Sequence, residues 1–369
     1  MGGAALEMRV FLCGPMADEA LRALVLGEEV AGVLARLEGH ALRAAGATVV
    51  PVPAGSDGVE GVLAEPGPEA AARLAYHQQA AGYRVETHEI GGAPAVVFTA
   101  DPDGAEAWDP VTWNAVWGPI VAATAGDVMA LWPEVPAEQV GRRYRLMLVQ
   151  GASRVRAAAP APSRRRLAAS PADVSVIRRR QPYANFFAVE EYDLSFRSFG
   201  GGMSPAVNRA VFISGDAVTV VPYDPARDRV LLIEQFRPGP FGRGDGQPWL
   251  LEPIAGRIDP GETPEGSARR EAVEEAGLAL GELLPVASYY PTPAAKAEYL
   301  YSYVALAELP DGIEGVFGME GEGEDIRGHL MAFDEMMELV RSGEICNGPL
   351  LLTALWLERE RPGLRAARR

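Results

Sequence analysis

The sequence predicts an α+β protein of two domains, a small mixed β-barrel followed by an α/β/α sandwich. Three observations lead there. At 369 residues the chain exceeds what one hydrophobic core usually organises. Residues 157–172 shift to Ala, Pro, Ser and Arg without periodicity, the composition of an exposed linker. Farther on, a loop marked by glycine and proline leads into a helix-forming stretch, residues 256–278, that carries Glu271, Glu274 and Glu275. The expected boundaries are 8–156 for the first domain, 157–172 for the linker and 173–365 for the second domain.

In the first domain, the apolar run at residues 9–12 enters Cys13-Gly14-Pro15-Met16, a strand running into a tight loop. Residues 30–37, 48–53 and 58–63 give separate strand signals between turn residues. Residues 69–81 read as a helix. Residues 83–90 and 95–99 make a hairpin closed by Gly91-Gly92, and 113–132 and 138–153 are helical. Short strands with one interposed helix are what predict the barrel.

In the second domain, residues 187–198 alternate and the three glycines 200–202 supply a turn. Strands follow at 208–214 and 217–222, with Gly215-Asp216 between them, and at 229–235. A strand at 250–256 leads into the glycine-marked loop. After the acidic helix come strands at 284–290 and 299–307 and helices at 334–342 and 349–359. The last is amphipathic through Leu351, Leu352, Leu355 and Trp356. Tyr183, Phe186 and Phe187 read as core aromatics, with stacking on a base as the alternative.

The bulk numbers exclude several classes. Hydrophobic content of 48% with 23% charged residues is that of a globular protein. A net charge of −16 disfavours a nucleic-acid partner, which needs a basic field. The clusters Arg164 to Arg166 and Arg178 to Arg180 read as solvated linker. Two cysteines, Cys13 and Cys346, are too few for a disulfide framework. No apolar run reaches membrane-spanning length and no leader pattern opens the chain, so the expectation is a cytoplasmic protein.

The chemistry concentrates at residues 256–278. Thr263 or Ser267 caps the helix, Glu265 suits its positive end and Gly277 stops it. Glu271, Glu274 and Glu275 lie three and four positions apart and so share one face, where like charges repel. A hard divalent cation removes the conflict, because Mg²⁺ takes oxygen ligands and commonly binds phosphates at the same time.

This spacing resembles the Nudix box. That motif has a glycine, five residues, a glutamate, seven residues, then Arg-Glu-x-x-Glu-Glu-x-Gly and an aliphatic residue. Here the places are Gly256, Glu262, Arg270, Glu271, Glu274, Glu275, Gly277 and Leu278, with Ala272 smaller than the family's usual aliphatic residue. The resemblance implies Mg²⁺, with Mn²⁺ as a substitute, held by Glu271 and Glu275 with Glu274 close by. The Ala255 carbonyl would be a further ligand, and Arg270 would pair with Glu262.

Features outside the box resemble the ADP-ribose pyrophosphatase branch. Pro293 follows the box by sixteen positions, and Glu322-Gly-Glu324-Asp325 resembles that branch's catalytic loop. By resemblance Glu322 is the general base, Glu324 adds a metal contact, and Arg209, Arg237, Glu298 and Pro293 bind substrate. The implied reaction cleaves a small-molecule nucleotide sugar, ADP-ribose, to AMP and ribose 5-phosphate in a homodimer. The alternatives are another nucleotide sugar such as a GDP-hexose, or a sensor that binds without cleaving.

The first domain resembles the gamma-glutamyl cyclotransferase-like family through the strand and loop at residues 9–16 and the helix ending Gln78-Gln79 before Tyr83. The family's catalytic glutamate would fall at Gln79, or at Gln78 with a one-residue slip. An amide cannot accept a proton as a carboxylate does, so the expectation is a catalytically silent domain, against the alternative of a bifunctional fusion.

Overall fold

The computed structural model describes residues 9–101, 103–318 and 323–367. The chain divides into two compact units, Met1–Leu167 and Ala168–Arg369.

The first unit contains β1 (Val10–Cys13), α1 (Glu19–Leu26), β2 (Gly32–Ala45), β3 (Thr48–Ala64), α2 (Pro68–Ala80), β4 (Arg84–Ile90), β5 (Ala93–Thr99) and β6 (Glu106–Ala107). Four helices follow: α3 (Pro110–Val116), α4 (Gly118–Met129), α5 (Ala137–Gly141) and α6 (Tyr144–Ala157). The strands form one mixed sheet in the order β4-β5-β1-β3-β2-β6, with β1 parallel to β5. Pairing ends at β4 and at β6, so the mixed sheet forms a half-barrel. The separate strands expected at 48–53 and 58–63 are one strand, because β2 pairs along both stretches of β3 and a register shift at Glu38/His40 absorbs the irregularity. Val10, Leu12, Val25, Leu74, Ala125 and Val128 form its core.

Gln79 is exposed at the end of α2, whereas Gln78 is 3% exposed. Of the two glutamines expected at the family's catalytic place, Gln78 is the one that faces inward. That residue lines a cavity of about 40 Å³ with Cys13, Pro15, Met16 and His77.

The second unit opens with β7 (Val174–Ala184), β8 (Ala188–Phe196) and β9 (Val207–Ile213). Then come β10 (Ala217–Asp224), β11 (Arg229–Phe236), α7 (Pro238–Arg243), β12 (Trp249–Glu252), β13 (Ile254–Arg257), α8 (Pro264–Ala276), β14 (Leu283–Tyr289), β15 (Lys296–Ala297) and β16 (Leu300–Leu306). It ends with β17 (Val316–Phe317), β18 (Ile326–Ala332), α9 (Phe333–Ser342) and α10 (Gly348–Ala366). One sheet runs β14-β16-β10-β11-β18-β17, with β12 on β11 and β13 on β10; a second runs β15-β9-β8-β7.

Period-2 alternation builds the sandwich. Val218, Val220, Leu231 and Ile233 pack under α8, while Val221, Tyr223, Val230 and Leu232 pack under α9 and α10. Ala268, Ala272 and Ala276 are the buried seam of α8. A larger side chain at Ala272 would hold the helix off the sheet.

Several local readings change. Residues 250–256 are two strands: β12 pairs with β11 and β13 with β10, the switch falling at Pro253, which has no N–H for a ladder. Arg178 to Arg180 are not linker but the middle of β7. Arg179 pairs with buried Glu190, and Arg180 with Glu191 at 2.8 Å. Phe187 packs on Phe212, but Tyr183 and Phe186 are exposed, so the core reading fails for those two. The last helix extends past Arg359 because Arg361 and Arg365 reach Asp228. No helix of the described residues is long and apolar enough to cross a membrane.

Candidate active site

Helix α8 begins as its residues dictate. The Thr263 side chain accepts the Gly266 N–H, Pro264 opens the first turn and Glu265 sits within it. It ends at Gly277 in the left-handed region, with the Leu278 N–H reaching back to the Ala272 carbonyl at 2.9 Å. Between these ends Glu271 and Glu275 are buried against β13 and Glu274 is half-buried.

Two contacts fix the carboxylates to the strand. The backbone N–H of Ala255 donates to Glu275 Oε2 at 3.0 Å. Gly256 lies so close to the Glu271 carboxylate that any Cβ there would collide with it. The box glycine is therefore required by space rather than by backbone conformation.

Arg270 brackets the cluster. Its Nε and Nη2 donate to the two oxygens of Glu262 at 3.0 and 3.1 Å, and Nη2 also donates to the Arg257 carbonyl at 3.0 Å. Its Nη1 reaches Glu271 at 2.7 Å and Glu274 at 2.8 Å. Burial disfavours charge on Glu262, yet the Arg270 and Ser267 bonds hold it below its usual range. The opposite holds deeper in. Burial, with Glu274 and Glu324 nearby, pushes Glu271 up to about 7 despite Arg270. Burial, with Glu271 and Glu324, pushes Glu275 up to about 8. Two buried acids side by side are poorly accommodated by the protein alone.

A hard cation suits this donor set, because the available atoms are oxygens and their mutual repulsion is what a divalent charge relieves. Among the described residues no three His, Cys, Asp or Glu side chains are arranged to hold an ion as they stand.

Residues 214–350 match the NUDIX domain family. An ADP-ribose pyrophosphatase of Escherichia coli (strain K12) is 38% identical over 186 residues, 50% of this chain and 88% of that protein. One from Haemophilus influenzae is 32% identical over 188 residues, 50% and 86% of the two chains. A GDP-mannose pyrophosphatase of Enterobacter sp. is 29% identical over 187 residues, 50% and 95%. The chain belongs to the NUDIX family. It is an enzyme of that family, whose ADP-ribose pyrophosphatases generally use divalent cations.

Within this NUDIX unit the structure gathers Ala255, Glu262, Arg270, Glu271, Glu274 and Glu275, with Arg237 and Glu324 in electrostatic reach. It does not gather the remaining residues expected to bind substrate. Arg209 is exposed on β9 and donates to the Asn208 carbonyl at 2.8 Å. Glu298 accepts from Ser214 at 3.1 Å and pairs with Lys296 at 2.5 Å. Pro293 is exposed in the turn between β14 and β15. Glu322 lies outside the described residues. A cleft of about 800 Å³, lined by Glu234, Arg243, Trp249 and His329, includes none of the α8 carboxylates.

Sequence reasoning missed Glu252, which holds Arg237, and Asn347, which donates to Glu252. Asn347 was legible as a helix cap before Pro349, but no local spacing joins it to Glu252.

Proposed function

We propose that this chain hydrolyses the pyrophosphate of ADP-ribose, releasing AMP and ribose 5-phosphate. The observation that carries this reading is the pair of buried acids, Glu271 and Glu275, seated under Ala255 and Gly256. Similarity to the two ADP-ribose pyrophosphatases supports the choice of substrate.

Glu271 and Glu275, with the Ala255 carbonyl and Glu324, would hold Mg²⁺ or Mn²⁺, which when bound neutralises the diphosphate and lowers the pKa of an attacking water. Arg270 keeps the 256–262 loop on α8 through Glu262, and its Nη1 shares Glu271 and Glu274. Glu274 supplies a further carboxylate at the rim. Arg237 donates to a phosphate oxygen, a task for which a planar guanidinium is suited. Glu322 takes the proton of the attacking water. Arg209, Glu298 and Pro293 serve the remainder of the substrate, and a homodimer is the proposed assembly. Exposed Val174, Val176 and Ile177 on β7 suit such an interface.

The experiment is product analysis with ADP-ribose and Mg²⁺, for the wild type and Glu275→Gln. AMP from the first and near-total loss in the second support the reading; no AMP from the wild type refutes it. A second reading is a pyrophosphatase for a GDP-sugar, favoured by the similarity to a GDP-mannose pyrophosphatase. A higher kcat/KM on GDP-mannose than on ADP-ribose would establish it. The first unit is proposed to be catalytically silent, since Gln78, which lines its cavity, would put an amide where the family it resembles has a carboxylate base. Release of 5-oxoproline from a gamma-glutamyl substrate would show a bifunctional enzyme instead.

A further inference from the structure

Arg237 stands just past the end of β11, and its guanidinium is anchored from one side. Nε and Nη2 both donate to Oε2 of Glu252, at 2.8 and 2.6 Å. The other oxygen of Glu252 accepts from Asn347 Nδ2 at 3.0 Å. Asn347 is itself fixed: its Oδ1 accepts the Leu350 N–H at 3.0 Å and caps α10. Glu252 is 4% exposed, and a carboxylate that deep is costly unless both oxygens are answered. An amide is apt for the middle place, offering a donor to Glu252 and an acceptor to the helix from one side chain.

The arrangement has a second end. Nη1 of Arg237 makes no hydrogen bond among the described residues. Besides Glu252, the charges that act on this guanidinium are Glu275 and Glu324, so it lies in the field of the α8 carboxylates. A guanidinium is planar and rigid, and fixing two of its nitrogens fixes the direction of the third.

We propose that Glu252 and Asn347 are positioning residues that hold Arg237 so that Nη1 is presented to a phosphate oxygen of the nucleotide sugar. The proposal rests on the pyrophosphatase reading above. The corner between α9 and α10 thereby sets a substrate contact at the end of β11.

The test is a double-variant cycle in the full-length chain, with steady-state hydrolysis of ADP-ribose and GDP-mannose as readout. Asn347→Asp keeps the cap acceptor for Leu350 but turns an oxygen, not a donor, toward Glu252. It is expected to raise KM on the order of tenfold, the effect of losing about 1.4 kcal/mol of binding. Arg237→Ala is expected to cost more, and Asn347→Asp added to Arg237→Ala is expected to cost nothing further. A merely structural role for Asn347 would lower activity equally in both backgrounds, and that additive result, or an unchanged KM in Asn347→Asp, overturns the proposal. Where Asn347→Asp fails to fold, Asn347→Ser keeps the cap, shortens the donor and carries the same comparison. A wild type that cleaves neither substrate overturns the pyrophosphatase reading and this proposal together, and its rate alone distinguishes that outcome from additivity.

Discussion

Glu275 accepts the backbone N–H of Ala255 at 3.0 Å, so a buried acid on α8 is tied to the strand from which its neighbouring carbonyl would act. This bond adds to the alanine seam of α8 in seating the helix on the sheet at the site. Burial still leaves Glu275 with a pKa raised to about 8, so the bond only partly answers the charge.

The closeness of Gly256 to Glu271 gives the first prediction. Gly256→Ala puts a methyl group into the carboxylate and pushes Glu271 out of place. Activity should fall on the order of 10²-fold, the scale for displacing a reacting group by about an ångström. The thermal midpoint of the second unit should change far less. Retention of most activity in the alanine variant would contradict the steric role given to this glycine.

Arg270 supplies the second. Its nitrogens serve Glu262, Glu271, Glu274 and the Arg257 carbonyl together, a fork that an ammonium cannot reproduce. Arg270→Lys should destabilise the second unit by about 2 kcal/mol, the scale of a charged hydrogen bond lost in a half-buried setting. Chemical denaturation of the two proteins measures it, and equal midpoints would count against the bracket.

His77 supplies a third, in the first unit. It is 3% exposed, neither ring nitrogen has a partner among the described residues, and burial pulls its pKa down from 6.5 to about 4. The fold accepts the neutral ring, whereas the unfolded chain takes up a proton first as pH drops. Stability is therefore complete above the unfolded value of 6.5 and is lost progressively as pH falls toward about 4. At about 1.4 kcal/mol per unit the loss approaches about 3 kcal/mol. Urea titrations between about pH 7.5 and about pH 4.5 should show this slope, and His77→Phe should flatten it. A variant as acid-sensitive as the wild type would assign the slope to other groups.

The site's core was legible because its signals are local. Glu271, Glu274 and Glu275 share a face by helical spacing, and Thr263 and Gly277 mark the two ends of that helix. What was not legible depends on partners far along the chain. The run Arg178 to Arg180 hid β7 because its charges are answered by Glu190, Glu191 and Asp193 on the next strand. Glu252 and Asn347 meet across 95 positions, and no periodicity announces such a pair. Gln78 and Gln79 could be told apart only by which one faces inward, a matter of a single residue's rotation about α2.

The central claim is that the α8 acids form a seat for a divalent cation, and Mn²⁺ binding followed by electron paramagnetic resonance tests it most directly. The wild type should bind Mn²⁺, and Mg²⁺ should displace it. Glu275→Gln should weaken the binding by on the order of 10²-fold while the fold remains intact. Equal Mn²⁺ affinity in the wild type and Glu275→Gln would contradict the account.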